Sequence, residues 1–180
     1  MVSLRRDEPV EQVSIRAVRR DDRERIVKAF RGLDRRSIYL RFFFHKKYLG
    51  EEELRRITEC DGVSDAVLVA TVGSGDRETI VGLGNYVRRG AVADIAFAVG
   101  KEFQGRGIAS HLLQQLVGVA RANGIVRFEA DVLAENAPML AVLRKSKLRM
   151  RTSHEQGVVH ATLFLAQGEA IHWMKGRSAA

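Results

Sequence analysis

The sequence of 180 residues contains a single cysteine, Cys60. One thiol cannot form a disulfide within the chain, and such sparse cysteine usage is typical of reducing compartments. No apolar run approaches the roughly 20 residues that a bilayer-spanning helix needs, and the polar start of the chain lacks the apolar core of a signal peptide. We therefore expect a cytoplasmic protein without a membrane segment, and we interpret Cys60 as a plain thiol at a helix end rather than a nucleophile.

Aromatic residues make up only 7% of the chain, although the formal net charge is +8. A surplus of positive charge attracts anions, which could be nucleic acid, a polyanionic cofactor or an acidic protein surface. Base stacking needs aromatic side chains interleaved with basic ones, and the sequence has no such array. We therefore do not expect nucleic-acid binding to be the main role.

The sequence also lacks histidines and cysteines at the spacings that bind metals. Metal sites in proteins draw on several such side chains that are close together in the fold. The five histidines form no such set, so the sequence predicts no metal site: His45, His111, His154, His160 and His172.

The length and the apolar fraction of 46% fit one globular domain. We predict a flexible polar segment over 1–12, the domain over 13–166 and a basic tail over 167–180. Alternating or continuous apolar stretches predict strands, and apolar residues at spacings of three and four predict helices. This succession predicts an α+β fold with one mixed sheet. The predicted strands are 13–18, 66–72, 79–87, 93–99, 127–133, 150–153 and 158–165, and the predicted helices begin near 23, 51, 108 and 137.

A glycine-rich turn joins the fourth predicted strand to the longest predicted helix, whose first residue is Ile108. Backbone N–H groups in the first turn of a helix have no intrahelical partner, and the helix dipole adds partial positive charge there. Gly105 and Gly107 allow close approach of a ligand and left-handed backbone. A strand, a glycine-rich turn and a helix N-terminus together predict an anion site.

Two familiar phosphate-binding patterns are missing from this turn. There is no Gly-x4-Gly-Lys-Ser/Thr, and Ser110 stands where a dinucleotide-binding turn would need its third glycine. The pattern that remains is Gln104-x-x-Gly107-x-Ala109 after an apolar strand. It resembles the acyl-CoA pyrophosphate signature of the GNAT N-acetyltransferase superfamily. A glycine-rich connection that binds nothing is the alternative.

A second stretch, Ser37-x-Tyr39-x-Arg41-Phe42-Phe43, is similar to the acetyltransferase domain of Pat-type protein lysine acetyltransferases. These enzymes acetylate acyl-CoA synthetases, so the resemblance implies acetyl-CoA as co-substrate and a protein lysine as acceptor. It also implies the GNAT fold, in which the fourth and fifth strands splay apart. A small-molecule amine as acceptor, or a GNAT module that senses acyl-CoA without turnover, are the alternatives.

The resemblance assigns the cofactor-binding residues. The pantetheine arm is expected to pair with the backbone of the fourth strand, where the N–H of about Val99 would polarise the thioester carbonyl. Asn136 matches an asparagine that contacts the CoA arm, and it is also a plausible N-cap. The full set is Phe97, Ala98, Val99, Gln104, Gly105, Arg106, Gly107, Ile108, Ala109, Ser110 and Asn136.

Asp94 is the candidate catalytic base. It shares a strand face with the small residues Ala96 and Ala98, and partial desolvation there would raise a carboxyl pKa towards working pH. Pat-type enzymes carry a glutamate at the matching position, so the shorter aspartate favours a base that acts through water. A salt bridge from Asp94 to Arg88 or Arg89 is the alternative.

Other side chains compete for the remaining roles. Glu129 and Asp131 share a face of the fifth strand and are reserve candidates for the base. Leu143 stands where many relatives place a tyrosine that protonates the leaving thiolate, so no such acid is predicted.

Two further stretches have two interpretations each. The run Phe42-Phe43-Phe44 is expected in the core, with a wall of the acceptor pocket as the alternative. The basic run from Arg144 to Arg149 is expected to be a solvated face, with contact to the CoA 3′-phosphate as the alternative.

Gly82 and Gly84, inside a strand pattern, predict a bulge or close packing rather than a phosphate loop.

Overall fold

The computed structural model describes residues 12–165 of the chain. The predicted flexible segment over 1–12, apart from its last residue, and the predicted basic tail over 167–180 lie outside this range.

Within residues 12–165, seven strands form a single mixed sheet with the order β1-β2-β3-β4-β5-β7-β6, which confirms the predicted α+β architecture. All seven predicted strands agree with the structure to within about two residues at each end. The strands are β1 Ser14–Ala17, β2 Asp65–Val72, β3 Thr79–Arg89, β4 Val92–Val99, β5 Arg127–Leu133, β6 Arg149–Glu155 and β7 Val158–Phe164.

In the described part of the chain five α-helices flank the sheet, and their ends follow from local capping. The Asp34 carboxylate accepts the backbone N–H groups of Arg36 and Ser37, which starts a helix that the sequence analysis did not assign. Asn123 and Gly124 end the longest helix as predicted, with Gly124 at φ 73°. The helices are α1 Arg23–Arg31, α2 Arg35–Phe42, α3 Glu51–Thr58, α4 Ile108–Ala122 and α5 Ala137–Lys145.

The two faces of the sheet are covered by different helices. Helix α4 packs its buried Leu112 and Leu116 against the back face, where Leu68 of β2 and Ile95 of β4 also point. Val69, one residue further along β2, belongs to a separate cluster with Ile26 of α1 and Leu54 of α3. Because successive strand residues point to opposite faces, α1 and α3 lie on the front face.

Strands β4 and β5 run parallel, but they pair only at their beginnings. The paired residues are Val92–Asp94 of β4 and Arg127–Glu129 of β5. Beyond that point β5 keeps its partner β7 on the other side, from Arg127 to Leu133. The two strands therefore separate as the resemblance predicts, and the second half of β4 has a free edge towards the gap.

The two glycines of β3 sit at a bulge and at a close contact, as predicted. The register changes between Ala70 and Thr71, which pair with Gly82 and Ile80, so Val81 is the extra residue. A Cβ atom on Gly84 would lie 2.8 Å from the Phe97 ring. The absence of a side chain at Gly84 therefore allows Phe97 to pack against the sheet.

We expect Gly84→Ala to lower the free energy of unfolding by about 1–3 kcal/mol, because the added methyl overpacks the contact with Phe97. Urea unfolding measures the change. Gly118→Ala in α4 is the matched control, since a Cβ there meets nothing within 4 Å and alanine is the better helix former. Equal stability of Gly84→Ala and the wild type would contradict the close packing.

Candidate active site

A cleft with a volume of about 410 Å³ opens where β4 and β5 separate. Its walls come from the second half of β4, the turn before α4, the first turn of α4 and the start of α5. Arg106 does not line the cleft; the carbon of its guanidinium lies 5.1 Å from the centre of the Phe103 ring. The other ten predicted cofactor residues do line it: Phe97, Ala98, Val99, Gln104, Gly105, Gly107, Ile108, Ala109, Ser110 and Asn136.

The free edge of β4 offers backbone groups to the cleft. Gly100 donates its N–H to the Val81 carbonyl of β3 at 2.9 Å. Hydrogen-bonded and non-hydrogen-bonded residues alternate along an antiparallel pair, so Ala98 also bonds β3. The N–H and carbonyl groups of Phe97 and Val99 therefore point the other way, into the gap, where an extended ligand arm could pair with them.

The turn before α4 has the backbone that an anion site requires. Gly105 and Gly107 have φ values of 75° and 80°, in the left-handed region that favours glycine. The first intrahelical bond of α4 runs from the His111 N–H to the Gly107 carbonyl. The N–H groups of the residues between them lack intrahelical acceptors, and the positive end of the helix dipole lies at the same place.

Gln104 connects this turn to helix α2. Its side-chain amide donates to the Val99 carbonyl at 3.0 Å and to the Ser37 hydroxyl at 3.1 Å. One of the two carbonyls that face the gap is thus already engaged by the protein. The sequence analysis did not give α2 a place in the cleft wall, although the stretch from Ser37 to Arg41 carried the second resemblance.

Asn136 and the basic run lie on the α5 side. The Asn136 side chain accepts the Met139 N–H at 3.2 Å, so it caps α5 and lines the cleft at the same time. Arg144, Lys145, Lys147 and Arg149 are exposed, which agrees with a solvated face, and Lys145 also reaches the cleft wall.

Asp94 is held in an ion pair. Its carboxylate accepts from Arg89 at 2.6 Å, and the same guanidinium nitrogen donates to Glu129 at 3.0 Å. The Asp94 side chain is 48% exposed and lies outside the cleft lining. The salt bridge that the sequence analysis kept as an alternative is therefore present, and the expected desolvation is not seen.

The reserve candidates differ from each other. Glu129 is bound by Arg89 and also by Arg127, whose Nε lies 3.2 Å from the carboxylate. Asp131 lines the cleft and lies 2.6 Å from Nδ1 of His160 on β7. Leu143 is 1% exposed and belongs to the core.

A second and larger cavity, of about 1300 Å³, lies between the front face of the sheet and helices α1, α2 and α3. Phe42 and Phe44 line it, while Phe43 and Phe44 are 37% and 56% exposed. The expectation that the three phenylalanines lie in the core is therefore wrong. The segment leaves α2 through Phe43 at φ 65°, which turns the following chain over the cavity instead of into the core.

Metal-ligand clusters and membrane-spanning helices are both absent from residues 12–165. Within this range no three histidine, cysteine or acidic side chains come together as a metal site would require. No helix of the same range is both long and apolar enough to cross a membrane. Cys60 follows α3, and burial raises the pKa of its thiol, so the thiol is less ionised than a free cysteine.

Comparisons with known proteins agree with this geometry. Residues 34–146 match the model of the acetyltransferase (GNAT) family. The chain superposes on the GNAT domain of S. lividans PAT with a TM-score of 0.76 and 31% identity, covering 88% of this chain and 99% of that one. A putative acetyltransferase from Salmonella typhimurium, solved with its cofactor acetyl-CoA, shares the fold with a TM-score of 0.68 at 16% identity and covers 88% and 96%.

A curated relative extends the comparison. Acetyltransferase Pat of Mycolicibacterium smegmatis is 34% identical over 93 residues, which make up 50% of this chain and 27% of the relative. The aligned segment thus spans about a quarter of that protein. From the family match over more than half of its length and the splayed sheet, the chain belongs to the GNAT acetyltransferase family.

Proposed function

We propose that the chain is an acetyl-CoA-dependent N-acetyltransferase. The observation that carries this proposal is the cleft between β4 and β5, which joins a free strand edge to an anion site at the start of α4. Pantetheine amides would pair with the gap-facing groups of Phe97 and Val99, and the pyrophosphate would lie against the N–H groups after Gly107. The Salmonella relative solved with acetyl-CoA has the same fold, which supports this placement.

The reaction needs an aligned and uncharged amine and a polarised thioester. Holding both reactants in the cleft can supply roughly 7–11 kcal/mol of barrier reduction. The Val99 N–H is a fixed donor for the oxygen that gains charge as the amine attacks the carbonyl carbon. The C–S bond then breaks and the thiolate leaves. Since Leu143 replaces the tyrosine acid, the thiolate would leave unprotonated or take its proton from water.

The proposed acceptor is the side-chain amine of a protein lysine, for example on an acyl-CoA synthetase. Two observations support it: the stretch from Ser37 to Phe43, and the 31% identity to the GNAT domain of S. lividans PAT. The large front cavity leaves room for an acceptor beside the cleft. If the chain acetylated only small amines, or bound acetyl-CoA without turnover, the proposed protein acceptor would be wrong.

We propose Asp94 as the base that removes the ammonium proton, acting through a water molecule. The carboxylate is exposed to solvent on the front face of β4, the face that Ala96 and Ala98 share towards α2. Its partner Arg89 donates to the carboxylate at 2.6 Å and orients it. A bridging water is needed because the carboxylate does not itself line the cleft.

We expect Asp94→Asn to lower kcat for lysine acetylation by about a hundredfold or more, because general-base catalysis contributes about 10²–10⁴. The rate is followed as CoA thiol release, and acetylated lysines are located by mass spectrometry on an acyl-CoA synthetase mixed with this chain. Acetyl-CoA binding, measured by calorimetry, should be retained in the variant.

Asp131→Asn is the matched control, because it also removes one carboxylate from the front face of the sheet. If Asp131→Asn loses turnover while Asp94→Asn keeps it, the base lies on β5 and the assignment to Asp94 is wrong. If the wild type leaves protein lysines at the spontaneous background but acetylates small amines, the protein acceptor is wrong and the enzyme class stands.

A further inference from the structure

The cleft and the front cavity share part of their walls. Three residues line both of them: Arg41 of α2, Ala98 of β4 and Phe103 of the turn before α4. Ala98 points to the front face, because Phe97 and Val99 pack towards the core cluster at the back. A thioester carried along the edge of β4 would therefore reach this junction from the cleft, and an acceptor would reach it from the front cavity.

Arg41 is the charged residue at the junction, and it lacks a carboxylate partner within residues 12–165. One guanidinium nitrogen donates to the Asn85 amide oxygen at 3.2 Å, and the guanidinium carbon lies 4.8 Å from the centre of the Phe42 ring. Glu53 attracts the charge from a distance, but Glu53 itself is bound by Lys46 at 2.9 Å. The side chain is partly buried, and burial lowers the pKa of the guanidinium.

Arg16, another partly buried arginine, has a different environment. Arg16 binds Asp22 at 2.6 Å and Glu78 at 2.7 Å, so both of its neighbours neutralise it. Removing a cation from water without an opposite charge is costly. A guanidinium has five N–H donors in a planar fork that matches a carboxylate, and Arg41 uses one of them on a neutral amide.

We propose that Arg41 binds a carboxylate carried by the acceptor next to its reactive amine, so that the acceptor class is an amine with a nearby carboxylate. On a protein this is a lysine with an aspartate or glutamate close to it. The inference rests on the proposed acetyltransferase function. Arg41 thereby holds the acceptor at the junction with Ala98, where the thioester carbonyl is expected, and it selects between acceptors.

The test compares acceptor peptides that differ in one group. Each peptide is capped at both ends and has one central lysine, with a single glutamate at one of the four positions nearest to it; the reference peptide has glutamine throughout. Free lysine and the corresponding diamine without a carboxylate form a second pair. For the wild type we expect kcat/KM for the best glutamate peptide, or for free lysine, to exceed that of its neutral partner at least tenfold.

Arg41→Gln should reduce this ratio to about one, because kcat/KM should fall much more for the carboxylate-bearing acceptor than for its neutral partner. Arg41→Lys should retain part of the preference for the carboxylate-bearing acceptor, since lysine keeps the charge but not the planar fork. Arg35→Gln, an exposed arginine at the start of the same helix, should behave like the wild type.

The outcomes separate the two proposals. Turnover of amines without any preference for a carboxylate, or a preference that persists in Arg41→Gln, overturns the role of Arg41 and leaves the acetyltransferase function intact. An equal fall of kcat for charged and neutral acceptors in Arg41→Gln also overturns it. No turnover of any amine overturns the proposed function, and the inference with it.

Discussion

Gly107→Glu is expected to abolish binding of acetyl-CoA. For the wild type, acetyl-CoA at about 100 times its dissociation constant should add roughly 2.7 kcal/mol and raise the Tm by about 5–10 °C for a domain of this size. In the variant a carboxylate would project into the open space at the start of α4, where a Cβ meets nothing within 4 Å. It would repel the pyrophosphate that the N–H groups and the helix dipole are expected to bind, so the rise should disappear.

Gly107→Lys separates charge from backbone strain. Gly107 has φ 80°, a conformation that strains any L side chain, so both variants should lose a similar amount of stability without ligand. Only the glutamate variant should lose the rise in Tm, whereas the lysine variant should retain at least half of it. Equal loss in both would show that backbone distortion and not charge disrupts the site, and an unchanged rise in Gly107→Glu would remove the anion site from this turn.

The features that could be predicted from the sequence are those that neighbouring residues determine. The turn around Gly107 can be predicted because a strand, two glycines and a helix start follow one another within a few residues. The cap of α5 at Asn136 and the end of α4 at Gly124 are local for the same reason. The separation of β4 from β5 was different in kind, because the expectation came from a family resemblance and not from a pattern in the residues.

What the sequence could not settle depends on pairs of residues that are distant along the chain. The sequence allowed Asp94 to be either a base or a member of an ion pair. In the structure the β3–β4 hairpin places Arg89 beside Asp94, and Arg89 binds its carboxylate. The contact between Asp131 and His160 spans 29 positions and needs the pairing of β5 with β7. The exposed position of Phe44 follows from the left-handed turn at Phe43, a conformation that a phenylalanine does not signal.

Asp22→Asn is expected to have the largest effect on folding. Asp22 is 0% exposed and accepts from both terminal nitrogens of Arg16, at 2.6 and 2.8 Å, and from the Arg19 N–H at 2.8 Å. An asparagine keeps the shape but loses the charge, which leaves a buried amide facing the guanidinium. Breaking a buried pair in this way costs about 3–5 kcal/mol, so the Tm should fall by about 6–20 °C in a thermal melt at neutral pH.

The pH dependence identifies the charge as the cause. Burial alone would raise the pKa of Asp22, but the hydrogen bonds from Arg16 and Arg19 outweigh it and lower the pKa. A lowered folded-state pKa stabilises the fold above the unfolded value of about 3.9, and this stability is lost as the pH falls through the folded-state pKa. The wild type should therefore exceed Asp22→Asn in free energy of unfolding by the largest amount at neutral pH, and this difference should shrink below about pH 4.

Asp21→Asn is the matched control, because Asp21 is 71% exposed and lies 3.8 Å from Arg25. The free energy of unfolding of Asp21→Asn should stay within about 0.5 kcal/mol of the wild-type value. Arg16 joins β1 to Glu78 before β3, far from the cleft, so Asp22→Asn should leave the affinity for acetyl-CoA unchanged below its Tm. Gly107→Glu should lose that affinity while keeping most of its stability. If both variants lost stability and affinity together, the cleft would not be an independent site but a part of the fold that opens when the buried charge pair is broken.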